Sequence, residues 1–256
     1  MSDEQAEGGQ GPFRRILGID FFGGPAKEAI NRIRRGGLLV VPAAPALKDL
    51  DTDVDYRESL LNADLAITDS AYMVLIWNAL QRDNLYRLSG LEYLRELLTE
   101  ADVRQTGNTV WIMASPKSAK LNLAWLAQQG IVVPATNVYM APLYGKSIED
   151  LHLLDLMRRT RPQHVVVTIG GGTQERLGLY LKRNLDFLPA IHCIGAAIAF
   201  LSGDQVHIPN WTDRFYLGWL YRCLSEPKRY IPRYWGARRL LSLMWKNRSE
   251  LPPLKK

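Results

Sequence analysis

The chain has no long hydrophobic run. Its longest apolar stretch, near Leu188–Leu201, is interrupted by His192 and falls short of the about 20 apolar residues that a membrane-spanning helix needs. The first residues, Met1 to Pro12, are acidic and Gly-rich without an apolar core. This excludes a signal peptide and predicts a flexible tail. Cysteine is scarce, with only Cys193 and Cys223. Without an export signal, two thiols make no disulfide framework and read as core residues, so a cytoplasmic location is the default. The four histidines, at 152, 164, 192 and 207, show no metal-ligand spacing. There is no G-x-S-x-G and no recognisable Cys/His pairing, which leaves hydrolase chemistry without support.

What is present is enough apolar material for a substantial core, 47% of 256 residues, and a lopsided charge. The net charge is +6. The last stretch, Arg222 to Lys256, holds ten Lys/Arg against Glu226 and Glu250, a net of +8, and leaves the rest with 22 basic and 24 acidic residues, a net of −2. Four of the seven Trp also fall late, at 211, 219, 235 and 245. Basic residues interleaved with Trp and Leu suit an anionic membrane surface, where rings sit among the headgroups and charges meet phosphates. The same composition fits a nucleic-acid patch or a solvated basic helix.

Strand-like and helix-like segments alternate. Strands are predicted over Arg15–Asp20, Leu38–Val41, Leu65–Thr68, Thr109–Met113, His164–Ile169 and Ala190–Ile194, with short extended pieces at Val132–Val133 and Val138–Met140. Helices are predicted over Ala26–Arg35, Tyr56–Asn62, Ala71–Leu80, Leu91–Glu100, Lys117–Gln129, Ile148–Thr160 and Gln174–Asn184, the Ala71 helix being apolar nearly all round and therefore buried. This rhythm specifies an α/β fold, a parallel sheet covered by helices on both faces, with ligands at the carboxyl ends of its strands. The reading divides the chain into a tail (1–12), a main domain (13–208) and a basic helical C-terminal appendage (209–256).

Three groups could carry chemistry. Thr168-Ile169 runs into Gly170-Gly171-Gly172 and then a helix beginning near Gln174 and Glu175. Glycines let a diphosphate approach the backbone, and a helix N-terminus offers unpaired N–H donors. The spacing is neither a dinucleotide fingerprint nor a P-loop, and a plain strand–helix turn is the alternative. Asp69 follows a buried strand, where a carboxylate could take a proton from an attacking hydroxyl. Asp69 or Ser70 could equally cap the next helix, and the residues alone favour the cap. The run Asp49, Asp51, Asp53, Asp55 contains D-x-D spacing but lacks the Gly and final Glu of a calcium loop. It reads better as a solvated helix start than as a metal site.

An ordered series of segments resembles the WecG/TagA/CpsF glycosyltransferases from about Ile16 to Tyr234. Leu60 to Asp69 is similar to that family's "LNSADLVxPDG" segment, and Tyr86-Arg87-Leu88-Ser89-Gly90 to its "R-V-x-G". Ile169 to Glu175 resembles its "G-x-G-x-P-x-Q-E" loop, and Ile194 to Gly203 its "G-V-G-x-x-F-D-F-L-x-G". Trp219 to Arg222 with Glu226 to Arg229 resembles "E-W-L-Y-R-L … E-P-R-R". The chain departs from the pattern at Pro42-Ala43-Ala44 (for "T-P-N"), Ser70 (for Gly), Leu91-Glu92-Tyr93 (for "T-D-L"), Ala199-Phe200 (no acid), His207 (for Arg) and Gly218 (for Glu).

The resemblance implies a Rossmann-like domain with a C-terminal appendage. It implies inverting, metal-independent transfer, without a cofactor, from a UDP-sugar to a polyprenyl-diphosphate-linked acceptor in cell-surface polysaccharide synthesis. Asp69 takes the place of the general base. Arg87, Arg222 and Arg229 fall on acceptor-binding positions, and Gly170, Gly171, Gly172, Gln174, Glu175 and Gly195 on the nucleotide-binding loops. The appendage would dock the enzyme on the inner face of the cell membrane, with no nucleic-acid partner, and the family can form homo-oligomers through its globular domain. The departures raise the alternative of a non-catalytic member serving as partner or scaffold for another transferase.

Overall fold

A computed structural model describes residues 11–204 and 235–255. One eight-stranded sheet organises them, in the order β1-β2-β4-β3-β8-β7-β5-β6. The strands are β1 (Phe13–Ile16), β2 (Ile19–Phe22), β3 (Gly37–Val40), β4 (Leu65–Ile67), β5 (Thr109–Met113), β6 (Val138–Met140), β7 (His164–Val167) and β8 (Ala190–Cys193). Every neighbouring pair is parallel except the β1–β2 hairpin. The helices are α1 (Ala26–Ile33), α2 (Ala44–Leu47), α3 (Val54–Leu61), α4 (Ala71–Gln81), α5 (Gly90–Leu97), α6 (Ala101–Arg104), α7 (Pro116–Gln128), α8 (Leu151–Thr160), α9 (Thr173–Asn184), α10 (Ala197–Ser202) and α11 (Arg239–Asn247).

Side chains alternate across each strand, so the sheet feeds two cores. Leu38, Val40, Ala66, Val110, Ile112, Val165, Val167, Ile191 and Cys193 pack with α2, α3, α4, α8, α9 and α11. Leu39, Val41, Leu65, Ile67, Trp111, Met113, Val166 and Ala190 pack with α1, α5, α6, α7 and α10. Because both faces are covered, β3, β5, β7 and β8 are buried along their whole length. This is the expected Rossmann-like α/β fold.

The structure departs from the sequence reading in three places. The single strand expected over Arg15–Asp20 is a hairpin, with Leu17 (φ 51°) and Gly18 (φ 79°) as its two-residue turn. Two consecutive positive φ values make a tight turn whose twist matches the strands. Leu17 tolerates it because the Leu17 and Gly18 N–H groups donate to the carbonyls of Arg248 and Ser249 at 2.8 Å each. Val132–Val133 is not a strand. The aspartate run is not uniformly solvated either. Asp53 caps α3 as expected, accepting from the Tyr56 N–H at 3.0 Å, but Asp51 is buried and ion-paired with Arg239 (2.7 Å) and Lys255 (3.1 Å).

The described part of the C-terminal segment is thus packed onto the main domain. Leu240, Leu243 and Met244 of α11 join the core beside α4. The outer side of this segment exposes Trp235, Leu241 and Trp245, and the Arg238 guanidinium lies over the Trp235 ring at 4.2 Å. No helix among the described residues is long and apolar enough to cross a membrane.

Candidate active site

All strands from β2 to β6 point the same way, so their carboxyl ends form one rim. Asp69 stands on it two residues beyond β4. The capping job falls to its neighbour: Ser70 Oγ accepts from the Met73 N–H at 3.2 Å and starts α4. Asp69 is therefore available for other work. Its Oδ1 accepts from the Gly90 N–H at 2.8 Å, while Oδ2 accepts no hydrogen bond from a described residue. The carboxylate is partly open to solvent, at 29% of its side-chain surface.

The segment 86–90 is built to hold that carboxylate. Thr68 Oγ1 donates to the Tyr86 carbonyl (2.8 Å) and accepts from the Leu88 N–H (2.9 Å), fixing the segment against the end of β4. Arg87 Nε then donates to the Asp69 backbone carbonyl at 2.6 Å, and its Nη2 lies 3.8 Å from Asp69 Oδ1. Gly90 sits where three strand ends meet. A Cβ there would lie 3.2 Å from Val41 beyond β3, 3.5 Å from the Ile194 carbonyl beyond β8, and 3.7 Å from Asp69 Oδ1. A side chain there would press on Val41, so the close approach of the Gly90 N–H to Asp69 suits the smallest residue.

Three strand spacings along the rim, about 14 Å from β4, β7 ends in the glycine turn. Gly170 and Gly171 are exposed, and a Cβ on either would meet no described residue within 4 Å. Gly172 adopts φ 88°, a left-handed conformation that suits glycine. Beyond it α9 presents its N-terminus. Arg176 Nε donates to the Gly172 carbonyl (2.9 Å) and its Nη1 to the Lys146 carbonyl (2.9 Å), tying the turn to the loop after β6.

Gln174 and Glu175 face inward. Both are buried, at 2% and 0% exposure. Glu175 Oε2 accepts from the Gly172 N–H at 2.6 Å, and Gln174 Nε2 donates to Glu175 Oε1 at 3.1 Å. Gln174 Oε1 accepts from the Gly195 N–H at 2.5 Å. The N–H groups of Gly172 and Gly195 are therefore engaged within the protein. Burial pushes the Glu175 carboxyl up to about 7, against the downward pull of the Gln174 and Gly172 hydrogen bonds and of Arg176. Cys193 is the buried core thiol that was expected, its Sγ donating to the Gln174 carbonyl at 3.2 Å, with burial pushing it up.

Of the sequence candidates, Asp69 and Arg87 come together at one end of the rim. Gly170, Gly171, Gly172, Gln174, Glu175 and Gly195 come together at the other. Arg222, Arg229, His207, Gly218 and Cys223 lie outside the described residues. Pro42-Ala43-Ala44 forms the stretch between the two ends, with Ala44 buried at the start of α2. Sequence reasoning missed Thr68 and the role of Gly90 as a donor. It also missed a buried chain beneath the rim. Tyr93 Oη is 2.8 Å from His192 Nδ1, His192 Nε2 is 3.1 Å from His164 Nδ1, and His164 Nε2 is 3.5 Å from Asp102. Burial pushes both imidazoles down, on His164 against the upward pull of Asp102.

Against known proteins, the profile of the glycosyl transferase WecG/TagA/CpsF family matches residues 14–252. An N-acetylglucosaminyldiphosphoundecaprenol N-acetyl-beta-D-mannosaminyltransferase of Bacillus spizizenii is 22% identical over 207 residues, covering 77% of each chain. The protein of the same name from Bacillus subtilis is 23% identical over 189 residues, covering 71% of each.

Proposed function

Because the chain belongs to the WecG/TagA/CpsF glycosyltransferase family, we propose that it is an inverting, metal-independent hexosyltransferase. It would move a sugar from a UDP-sugar to an acceptor carried on a polyprenyl diphosphate, in the synthesis of a cell-surface polysaccharide. The observation that carries this reading is the Asp69 carboxylate, oriented through Oδ1 by Gly90 and with no hydrogen bond at Oδ2 from any described residue, on the same rim as an open glycine turn and helix N-terminus.

In this reading Asp69 Oδ2 takes the proton of an acceptor hydroxyl as that oxygen bonds to the anomeric carbon. The bond from that carbon to the diphosphate breaks on the opposite side, so configuration inverts and UDP leaves. The negative charge growing on the leaving group meets the open Gly170–Gly171 backbone and the N-terminus of α9. Arg87 both anchors Asp69 and brings positive charge for an acceptor phosphate, joined by Arg222 and Arg229 from the segment outside the described residues. The names of the two Bacillus relatives, which specify a diphosphoundecaprenol-linked sugar, support a lipid-linked acceptor. Peripheral attachment to an anionic membrane is supported by the outer face of the C-terminal segment, where Trp235, Leu241 and Trp245 stand exposed near Arg238, Lys246 and Arg248.

The test is UDP release from a panel of UDP-sugars, with a short-chain polyprenyl-diphosphate N-acetylglucosamine as acceptor and a chelator present. Acceptor-dependent release with an inverted anomeric product is expected. Retention of configuration, or activity that a divalent metal restores after chelation, would overturn the reading.

A further inference from the structure

Glu175 and Gln174 lie within the matched glycine-loop segment, yet both side chains are withdrawn from the rim and spent on backbone groups of two different loops. The chain of contacts runs Gly172 N–H to Glu175, Glu175 to Gln174, and Gln174 to the Gly195 N–H. It joins the turn after β7 to the turn after β8. Both glycines have positive φ, 88° and 62°, so each loop is a sharp turn whose direction depends on what holds its N–H. The junction at β8 also borders Gly90, and through it the Asp69 carboxylate.

A buried carboxylate is an expensive way to hold two turns. Its charge disfavours ionisation of the buried Tyr56 hydroxyl, which has no hydrogen-bond partner among the described residues, and of the Cys193 thiol, and Arg176 offsets it in part. A helix needing only a cap would have a cheaper solution in an exposed Ser or Asp at the turn. We propose that Glu175 is a positioning residue: acting through Gln174, it sets the spacing between the turn after β7 and the turn after β8, so that the rim meets a diphosphate as a preformed cradle. This rests on the UDP-sugar reading for its ligand but not for its geometry. A purely local role would hold Gly172 and leave Gly195, which Glu175 does not touch, unaffected.

The experiment is amide hydrogen exchange by NMR on the full chain, labelled with 15N-glycine and free of ligand, for wild type, Glu175→Ala and Glu175→Gln, with Tyr56→Phe as a packing control. In Glu175→Ala the Gly172 and Gly195 amides are expected to exchange at least tenfold faster. Glutamine keeps an oxygen for the Gly172 N–H but gives the Gln174 amide no acceptor, so Glu175→Gln should spare Gly172 and speed Gly195. If Ala fails to fold, the Gln variant alone decides. An unchanged Gly195 amide in a folded variant would reduce Glu175 to a local cap and overturn the proposal. UDP affinity by calorimetry is expected to fall at least tenfold in Glu175→Ala, and undiminished affinity with both amides loosened would also overturn it. If wild type bound no UDP, the functional reading would fall, and the exchange result would still decide the clamp.

Discussion

Replacing Glu175 by glutamine removes a buried charge while keeping the side chain's shape. In the unfolded chain this carboxyl titrates near its ordinary 4.5, whereas burial in the folded chain raises it to about 7. Between those values the folded state binds the extra proton, so wild-type stability falls as pH rises through the window and levels off above it. The whole difference corresponds to about 3 kcal/mol at pH 8. Glutamine carries no such proton and escapes the loss, but it gives up the hydrogen bond from Gln174, at about 1 kcal/mol. Glu175→Gln should therefore be more stable than wild type by about 2 kcal/mol at pH 8 and about equal to it at pH 5. In urea unfolding, a slope of about 3 kcal/mol per molar turns this into a midpoint shift of about 0.7 M at pH 8. Parallel stability profiles for the two proteins between pH 5 and 8 would refute the claim that a carboxylate is held in the apolar interior.

Four further outcomes follow from the same geometry. Gly171→Ala has open space for its methyl group, so stability should stay within about 1 kcal/mol while UDP affinity by calorimetry falls. Unchanged affinity would move the diphosphate away from this turn. Gly90→Ala pushes a methyl toward Val41 and the Ile194 carbonyl and should slow transfer by disturbing the donor to Asp69, a loss read in kcat rather than KM. Asp51→Ala takes the partner from Lys255 and leaves Arg239 only its 3.3 Å pairing with Asp49, which should cost about 1–3 kcal/mol, with the C-terminal segment becoming the first site of limited proteolysis; cleavage unchanged from wild type would show that the pairs do not hold it. Trp245→Ala together with Leu241→Ala removes exposed apolar surface from α11 and should weaken sedimentation with phosphatidylglycerol vesicles without shifting the melting temperature. Equal sedimentation would place the membrane contact elsewhere.

How far the sequence carries this account depends on the range of the interactions involved. Strands with continuous apolar runs, such as Thr109–Met113 and His164–Val167, were legible because burial on both faces leaves an unbroken pattern. Asp69 was legible as an acid at a strand end. That Ser70 takes the cap and frees Asp69 was one of two open alternatives, settled by a 3.2 Å contact. The hairpin turn at Leu17–Gly18 was hidden because residues more than two hundred positions away hold it. A comparable separation hid the pairing of Asp51 with Arg239 and Lys255, which engages two of the charges counted toward a basic surface. The inward turn of Glu175 did leave a local sign. A residue three positions after the N-cap is placed to reach back to the N-cap N–H, and Gly172 and Glu175 have that spacing. The His164–His192 contact left none, because 28 residues separate them and only the pairing of β7 with β8 brings them together.

The most direct test of the central claim is sugar transfer by wild type and Asp69→Asn side by side, with UDP binding measured on both. The variant keeps a side chain able to accept from the Gly90 N–H, so UDP binding should persist while kcat falls by about 10²–10⁴. Asp69→Asn that transfers sugar at the wild-type rate would contradict the assignment of Asp69 as the base and, with it, the mechanism built on this rim.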